Sequence, residues 1–284
     1  MYQMVSDLAK AAPLRHALIP LFRLVNPGDI SIRHHWTGER LVLHSFRHKG
    51  YWFHGRERER ESMNLCARLI RKGDVIFDVG GHIGYMALYF ASLAGSCGKV
   101  YSFEPAVSNL PYIRTNIEHG AHKNLILVEQ AVEAENGFTT FWSEELTGQN
   151  GSIIPRYIGL ASTAKSHGVQ AQSRKVTVET VSLDSFVTNI EKAPDFIKID
   201  VEGAESLVLQ GMRNILAGAR PRMMIEVTND PEIVFAILSS ADYLLFDEKG
   251  RTVNCSSEFA KAGPNLFAVP AEDNESLRRM KCHE

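Results

Sequence analysis

Cysteine is scarce and unpatterned in this sequence. The 284 residues contain four, Cys66, Cys97, Cys255 and Cys282, with no C-x-x-C pair. That excludes a disulfide framework, a zinc ribbon and a thioredoxin-like site. The expectation is reduced, mostly buried thiols in a cytoplasmic protein. Charge of one sign is also missing. The 31 Lys and Arg against 33 Asp and Glu leave a formal net charge of −2. No global field exists to hold a polyanion, so no nucleic-acid partner is expected. Long apolar runs are absent too, and nothing approaches the roughly 18 apolar residues of a membrane-crossing helix. Asp7 stands where a signal peptide carries basic residues, and Pro13 and Pro20 interrupt the apolar run. Residues 8–25 still mix apolar side chains with Lys10, Arg15 and Arg23, which makes them a candidate membrane-surface contact. No repeat at a period of about 20–50 residues is visible, which excludes solenoids and propellers.

What is present is an ordinary globular balance, 44% hydrophobic and 23% charged. Residues 1–72 read as an extension and 73–284 as the main domain. In the extension, 40–44 and 51–53 read as strands joined by a turn at 48–50. The alternating run 56–61 cancels in sign and reads as a solvated helix start, followed by an apolar face of Met63, Cys66, Leu69 and Ile70. His34, His35, His44, His48 and His54 match no ligand spacing, so no metal site is assigned to them. From Gly73 onward strands are predicted at 75–79, 99–103, 125–128, 196–201, 223–227, 243–246 and 265–269. Helices are predicted at 83–94, 109–119, 205–215 and 231–239. This rhythm predicts an α/β fold with a mostly parallel seven-stranded sheet and helices on both faces. It breaks at 138–142 and 175–181, which read as an antiparallel pair. The polar, small-residue tract at 143–175 between them is a candidate lid over a site.

Three signals carry chemistry. The first is Asp78-Val79-Gly80-Gly81-His82-Ile83-Gly84, which follows a buried strand and opens a helix. In doubly wound sheets this turn lies where ligands bind beyond the strand ends, and glycines let the backbone approach them. The second is Glu104, at the end of the next strand, where an acid accepts hydrogen bonds from ribose hydroxyls. The adjacent Gly80 and Gly81 do not form a G-x-G-x-x-G fingerprint. That favours a nucleotide without a pyrophosphate and points to S-adenosylmethionine. The third signal is Lys198-Ile199-Asp200-Val201-Glu202-Gly203-Ala204-Glu205. Lys198, Asp200 and Glu202 share a face if the strand runs that far, and such a cluster is costly to bury for packing alone.

These elements, with Phe103-Glu104-Pro105, Ala131-Val132, Ser182-Leu183-Asp184-Ser185 and Ile225-Glu226-Val227, resemble the FkbM family of S-adenosylmethionine-dependent methyltransferases. The resemblance covers roughly residues 73–270. His82 departs from it, standing where the family usually has Asn. The resemblance implies a Rossmann-like class I methyltransferase fold. It implies that Asp78, Gly80 and Gly84 meet the methionine part, that Gly81 and His82 also bind the cofactor, and that Glu104 meets the ribose. It further implies that Gln130 and Ala131 line the adenine pocket, with Asp200 near the transferred methyl. The implied acceptor is a hydroxyl of a sugar, glycolipid or secondary metabolite. Removing the hydroxyl proton needs a base. Asp200 and Glu202 are the candidates, with Glu226 in reserve. A divalent metal on Asp200, Glu202 and Glu205 is a variant of this mechanism. A nicotinamide-dependent oxidoreductase and a non-catalytic nucleotide-binding scaffold are the alternatives from other classes.

Overall fold

Short apolar runs rich in β-branched and aromatic residues build the centre of the molecule. In the computed structural model, which describes residues 28–144, 151–154, 173–259 and 263–281, β3 (Val75–Val79) is buried along its whole length. It pairs in parallel with β4 (Lys99–Phe103) on one side and β10 (Phe196–Ile199) on the other. β5 (Leu125–Val128) extends the sheet beyond β4, and β11 (Arg222–Glu226) extends it beyond β10. β13 (Asn265–Pro270) runs antiparallel to β11 and to β12 (Tyr243–Phe246). The order is β12-β13-β11-β10-β3-β4-β5, the expected mostly parallel seven-stranded sheet. The strand order reverses between β3 and β10, which puts the topological switch point above those two strands.

Two hydrophobic layers cover the sheet. One gathers Phe77, Phe103, Ile197, Val208 and Ile225 with the helices that follow β10 and β11. Those helices are α5 (Glu205–Gln210), α6 (Arg213–Ala217) and α7 (Pro231–Ser240). The single helix expected over 205–215 is thus two, broken at Gly211. A side chain at 211 would meet the Glu133 carbonyl, its Cβ only 2.3 Å away. The other layer gathers α3 (Tyr85–Ala94) with Ile76, Phe90, Val100 and Phe196.

The N-terminal segment packs on this second layer. A hairpin of β1 (Asp29–Arg33) and β2 (Arg40–His44) buries Leu41 and Leu43 completely. Each such leucine contributes roughly 1.5–3 kcal/mol. Asn116 on α4 (Leu110–His119) reads the hairpin as a third strand would. Its side chain accepts from the Val42 amide at 2.7 Å and donates to the Val42 and Ile83 carbonyls at 3.0 and 2.8 Å. The strand expected at 51–53 is instead a short helix, α1 (Lys49–His54). Histidines supply the reason. His44 Nδ1 accepts from the Phe46 and Arg47 amides, and His48 Nδ1 accepts from the His44 amide, so the chain coils after β2. His34 does the same work in the β1–β2 turn, accepting from the Trp36 and Thr37 amides and meeting the Tyr85 carbonyl through Nε2. Burial holds His34 near 4 and His48 near 2, well below the usual histidine value, so both stay neutral turn-formers.

After a 3-10 turn at Gly55–Glu57, α2 (Arg60–Leu69) begins four residues later than the charge run suggested. It buries the expected face, Met63, Cys66, Leu69 and Ile70. The expectation of mostly buried thiols fails: Cys66 is buried, whereas Cys97 and Cys255 are exposed.

A smaller sheet stands beside the main one. β7 (Gly137–Glu144) and β9 (Ser173–Val181) form the expected antiparallel pair, flanked by β6 (Ala131–Val132) and β8 (Gly151–Ser152). Most of the tract 143–175 lies outside the described residues, as do residues 8–25 and Cys282. No helix among the described residues is long and apolar enough to cross a membrane.

Candidate functional site

A cavity of about 360 Å³ opens above the switch point, within the roughly 300–1,000 Å³ range of small-molecule pockets. The ends of β3, β4, β10 and β11 supply its floor through Val79, Gly80, Glu104, Asp200 and Glu226.

Lys198 organises that floor. Its side chain is 4% exposed, and its ammonium donates to the Gly80 carbonyl at 2.7 Å. It lies 3.4 Å from the Asp78 carboxylate and 3.3 Å from that of Asp200. Burial opposes the charge, yet Asp200 and Asp78 outweigh it, so the Lys198 pKa is raised and the ammonium is kept. Asp78 is fully buried, accepts from the Ser102 hydroxyl at 3.0 Å, and does not line the cavity. Its position is under the loop, as the counter-ion that lets Lys198 hold Gly80 in place.

The loop itself is shaped by close packing. Gly80 has φ +83°, and a Cβ there would fall 1.8 Å from the Asp200 carbonyl oxygen. At Gly81 it would fall 2.0 Å from the Ser102 hydroxyl. Gly80 and His82 face the cavity, whereas Gly81 and Gly84 lie behind it.

Glu104 is 5% exposed and lines the cavity. One oxygen accepts from the His82 amide at 2.7 Å, and the other from the Ala106 amide at 2.8 Å and the Asn109 side chain at 3.3 Å. Burial pushes its pKa up to about 7 against the pull of those donors. Each carboxylate oxygen has two lone pairs, so the oxygen bonded to Ala106 and Asn109 is filled and the one bonded to the His82 amide can accept one further hydrogen bond. Gln130 and Ala131 line the cavity near it.

The acids at the β10 and β11 ends are brought together. Ile199 and Ile225 are register partners, so Asp200 and Glu226 follow on neighbouring strands. The strand ends before Glu202, and the face-sharing expected of Lys198, Asp200 and Glu202 stops at Asp200. Glu202 adopts φ +51° and reaches the cavity from the turn. Glu226 is pushed up to about 9, first by the charge of Asp200, then by burial and by Glu202. Glu205 lies beneath the turn, accepting from the Gly203 amide at 2.7 Å and the Thr228 hydroxyl at 2.9 Å, and does not line the cavity. Among the described residues no group of three or more His, Cys, Asp and Glu is placed to hold a metal ion.

Among the lining residues that the sequence does not mark as part of the site are Tyr51, Arg58 and Glu59. The aromatic cluster at 51–53 was visible, but not that α1 would carry Tyr51 to the cavity. Arg58 and Glu59 belong to the run read as a solvated helix start. Arg58 instead lies over the Tyr51 ring at 4.6 Å and pairs with Glu59 at 3.0 Å.

A doubly wound α/β sheet with a glycine turn and a buried acid at its switch point is the frame of a Rossmann-like nucleotide-binding fold. The methyltransferase FkbM domain matches residues 78–245, more than half of the sequence, and the chain belongs to the FkbM methyltransferase family. It is an S-adenosylmethionine-dependent methyltransferase, which removes the dehydrogenase and scaffold alternatives. The hexuronic acid methyltransferase AglP of Haloferax volcanii is 27% identical over 185 residues, 64% of this chain and 69% of AglP. Two solved structures are also similar. The FkbM methyltransferase of Methylobacillus flagellatus KT has 14% identity and a TM-score of 0.42, covering 89% of this chain and 59% of its own. Fibrillarin of Aeropyrum pernix, with natively bound S-adenosyl-L-methionine, has 15% identity and a TM-score of 0.43, covering 86% of this chain and 84% of its own. Family membership rests on the domain match.

Proposed function

We propose that this chain methylates a hydroxyl of a sugar-like acceptor, with Asp200 as general base. The arrangement of Lys198, Asp200 and Glu226 carries the reading. S-adenosylmethionine supplies an electrophilic methyl, and the acceptor oxygen must lose its proton as the C–O bond forms. Two carboxyls stand at neighbouring strand ends with different surroundings, which separates their roles. Asp200 lies beside the Lys198 ammonium and is the base. Glu226, pushed up to about 9 by the charge of Asp200 and by burial, is the hydrogen-bond donor to the acceptor in this reading. Glu202 adds to that push. Glu104 holds the ribose, and Gln130 and Ala131 flank the adenine. The sugar-like acceptor is supported by the kinship with a hexuronic acid methyltransferase.

Asp200→Asn should lower kcat by about 10²–10⁴ while leaving S-adenosylhomocysteine affinity unchanged. Retention of half the wild-type turnover would discard Asp200 as base. A second reading is favoured by one observation: the Nε of Arg58, a residue of the cavity wall, is buried with no hydrogen-bond partner among the described residues. A carboxylate of an acidic sugar would suit it. A carboxylate is also its own nucleophile, so methyl ester formation would survive Asp200→Asn. Assaying this variant with a glucuronide and with the matching neutral glucoside separates the two readings.

A further inference from the structure

The FkbM domain match begins at residue 78, yet a residue well before it grips the cofactor loop. Tyr51, on α1, is buried, and its hydroxyl lies 2.9 Å from Nδ1 of His82. The two rings are stacked, 5.8 Å apart and inclined by 21°. Tyr85 packs on the Tyr51 ring at 4.8 Å and the Arg58 guanidinium covers it at 4.6 Å, so the tyrosine is held from both sides.

His82 is the point on which this grip acts. It sits at φ 51°, a left-handed conformation that costs a non-glycine residue about 1–2 kcal/mol. Its amide donates to Glu104 at 2.7 Å, and that bond requires the left-handed turn. A histidine there lacks the backbone freedom of glycine, and its side chain must be held if the turn is to persist before a ligand arrives. Burial pushes the Tyr51 hydroxyl up to about 12, so it remains a donor at neutral pH. The hydroxyl donates to Nδ1 of His82 when the ring proton lies on Nε2, the tautomer this contact selects in the proposal.

We propose that Tyr51 is a positioning residue of the cofactor site: its hydroxyl donates to His82 Nδ1, fixes the glycine loop, and holds the His82 amide against Glu104. The N-terminal segment thereby completes the cofactor pocket. The gain is preorganisation, since a loop already ordered loses less entropy on binding.

The test is calorimetric titration of the full chain with S-adenosylhomocysteine, alongside thermal melts without ligand. Tyr51→Phe keeps the ring and its stacking and removes only the donor. We expect at least a fivefold weaker affinity, the equivalent of about 1 kcal/mol for one lost hydrogen bond. The imidazole 15N signals of His82 should shift in the same variant. His82→Asn should weaken binding as well, and the double variant should be no weaker than the poorer single one, because both changes break one bond. Trp52→Phe, on the same helix, removes the donor to the Ser45 carbonyl and should lower the melting temperature without moving the affinity. Affinity within twofold of wild type in Tyr51→Phe, or additive losses in the double variant, would overturn the proposal.

Discussion

Removing the ammonium of Lys198 is the sharpest test of how the floor of the site is held. Lys198→Met keeps the length and apolar stem of the side chain and deletes four contacts at once, the weakest of them to the Val79 carbonyl at 3.4 Å. The Gly80 carbonyl loses its donor at 2.7 Å. Asp78, fully buried, is left with the Ser102 hydroxyl at 3.0 Å as its remaining side-chain donor. Asp200 loses a partner at 3.3 Å, but its side chain is 34% exposed, so solvent screens most of that loss. Stranding one charge of a buried pair costs about 3–5 kcal/mol, and Asp78 dominates that figure. At about 2–4 °C per kcal/mol for a chain of this size, the melting temperature should fall by roughly 6–20 °C. Urea and thermal unfolding at pH 7 without ligand measure both quantities. Adding Asp78→Asn to Lys198→Met should restore more than half of the loss, because no buried charge is then left alone. A loss below about 1 kcal/mol in Lys198→Met, or no recovery in the double variant, would refute the counter-ion reasoning.

Two further predictions follow from the acids. Burial pushes Glu104 up to about 7 in the free protein, and in the proposed reading ribose hydroxyls donate to its ionised form. S-adenosylhomocysteine affinity should therefore be level above pH 7 and fall by up to about tenfold per unit below it, with Glu104→Gln weak and flat across the same range. Glu226 has its folded pKa raised to about 9 from an ordinary 4.5, so its contribution to stability is complete below 4.5 and is lost as the pH rises toward 9. Glu226→Gln should melt like wild type at pH 5 and above it at pH 9. Equal melting temperatures at both values would remove the premise that Glu226 is held neutral.

Much of the site was legible because its chemistry is compressed into local motifs. Gly80, Glu104 and Asp200 each end a strand, and the strand ends of a parallel sheet converge by topology. The seven strands were legible for a related reason, since buried parallel strands read as continuous apolar runs. Roles within the motifs were less legible. Asp78 and Glu202 are both acids of strand-end motifs, yet one is sealed under the loop and the other reaches the cavity. That difference comes from a left-handed turn at Glu202 and from the position of Lys198, which spacing does not report.

The amino-acid sequence alone determined the sheet, its helices, the glycine turn and the identity of the acids at the strand ends. These depend on periodicity and on residue types a few positions apart. Only the tertiary structure decided the other wall of the cavity. Tyr51 and Arg58 lie in a segment whose local pattern suggested a strand and a solvated charge run. Histidine side chains coil that segment after β2, and burial against Tyr85 turns its aromatic face inward. Contacts between residues about 30 apart, such as Tyr51 with His82 and Tyr85, outweighed local propensity, because burying an aromatic ring is worth more than the few tenths of a kcal/mol that favour one local conformation over another.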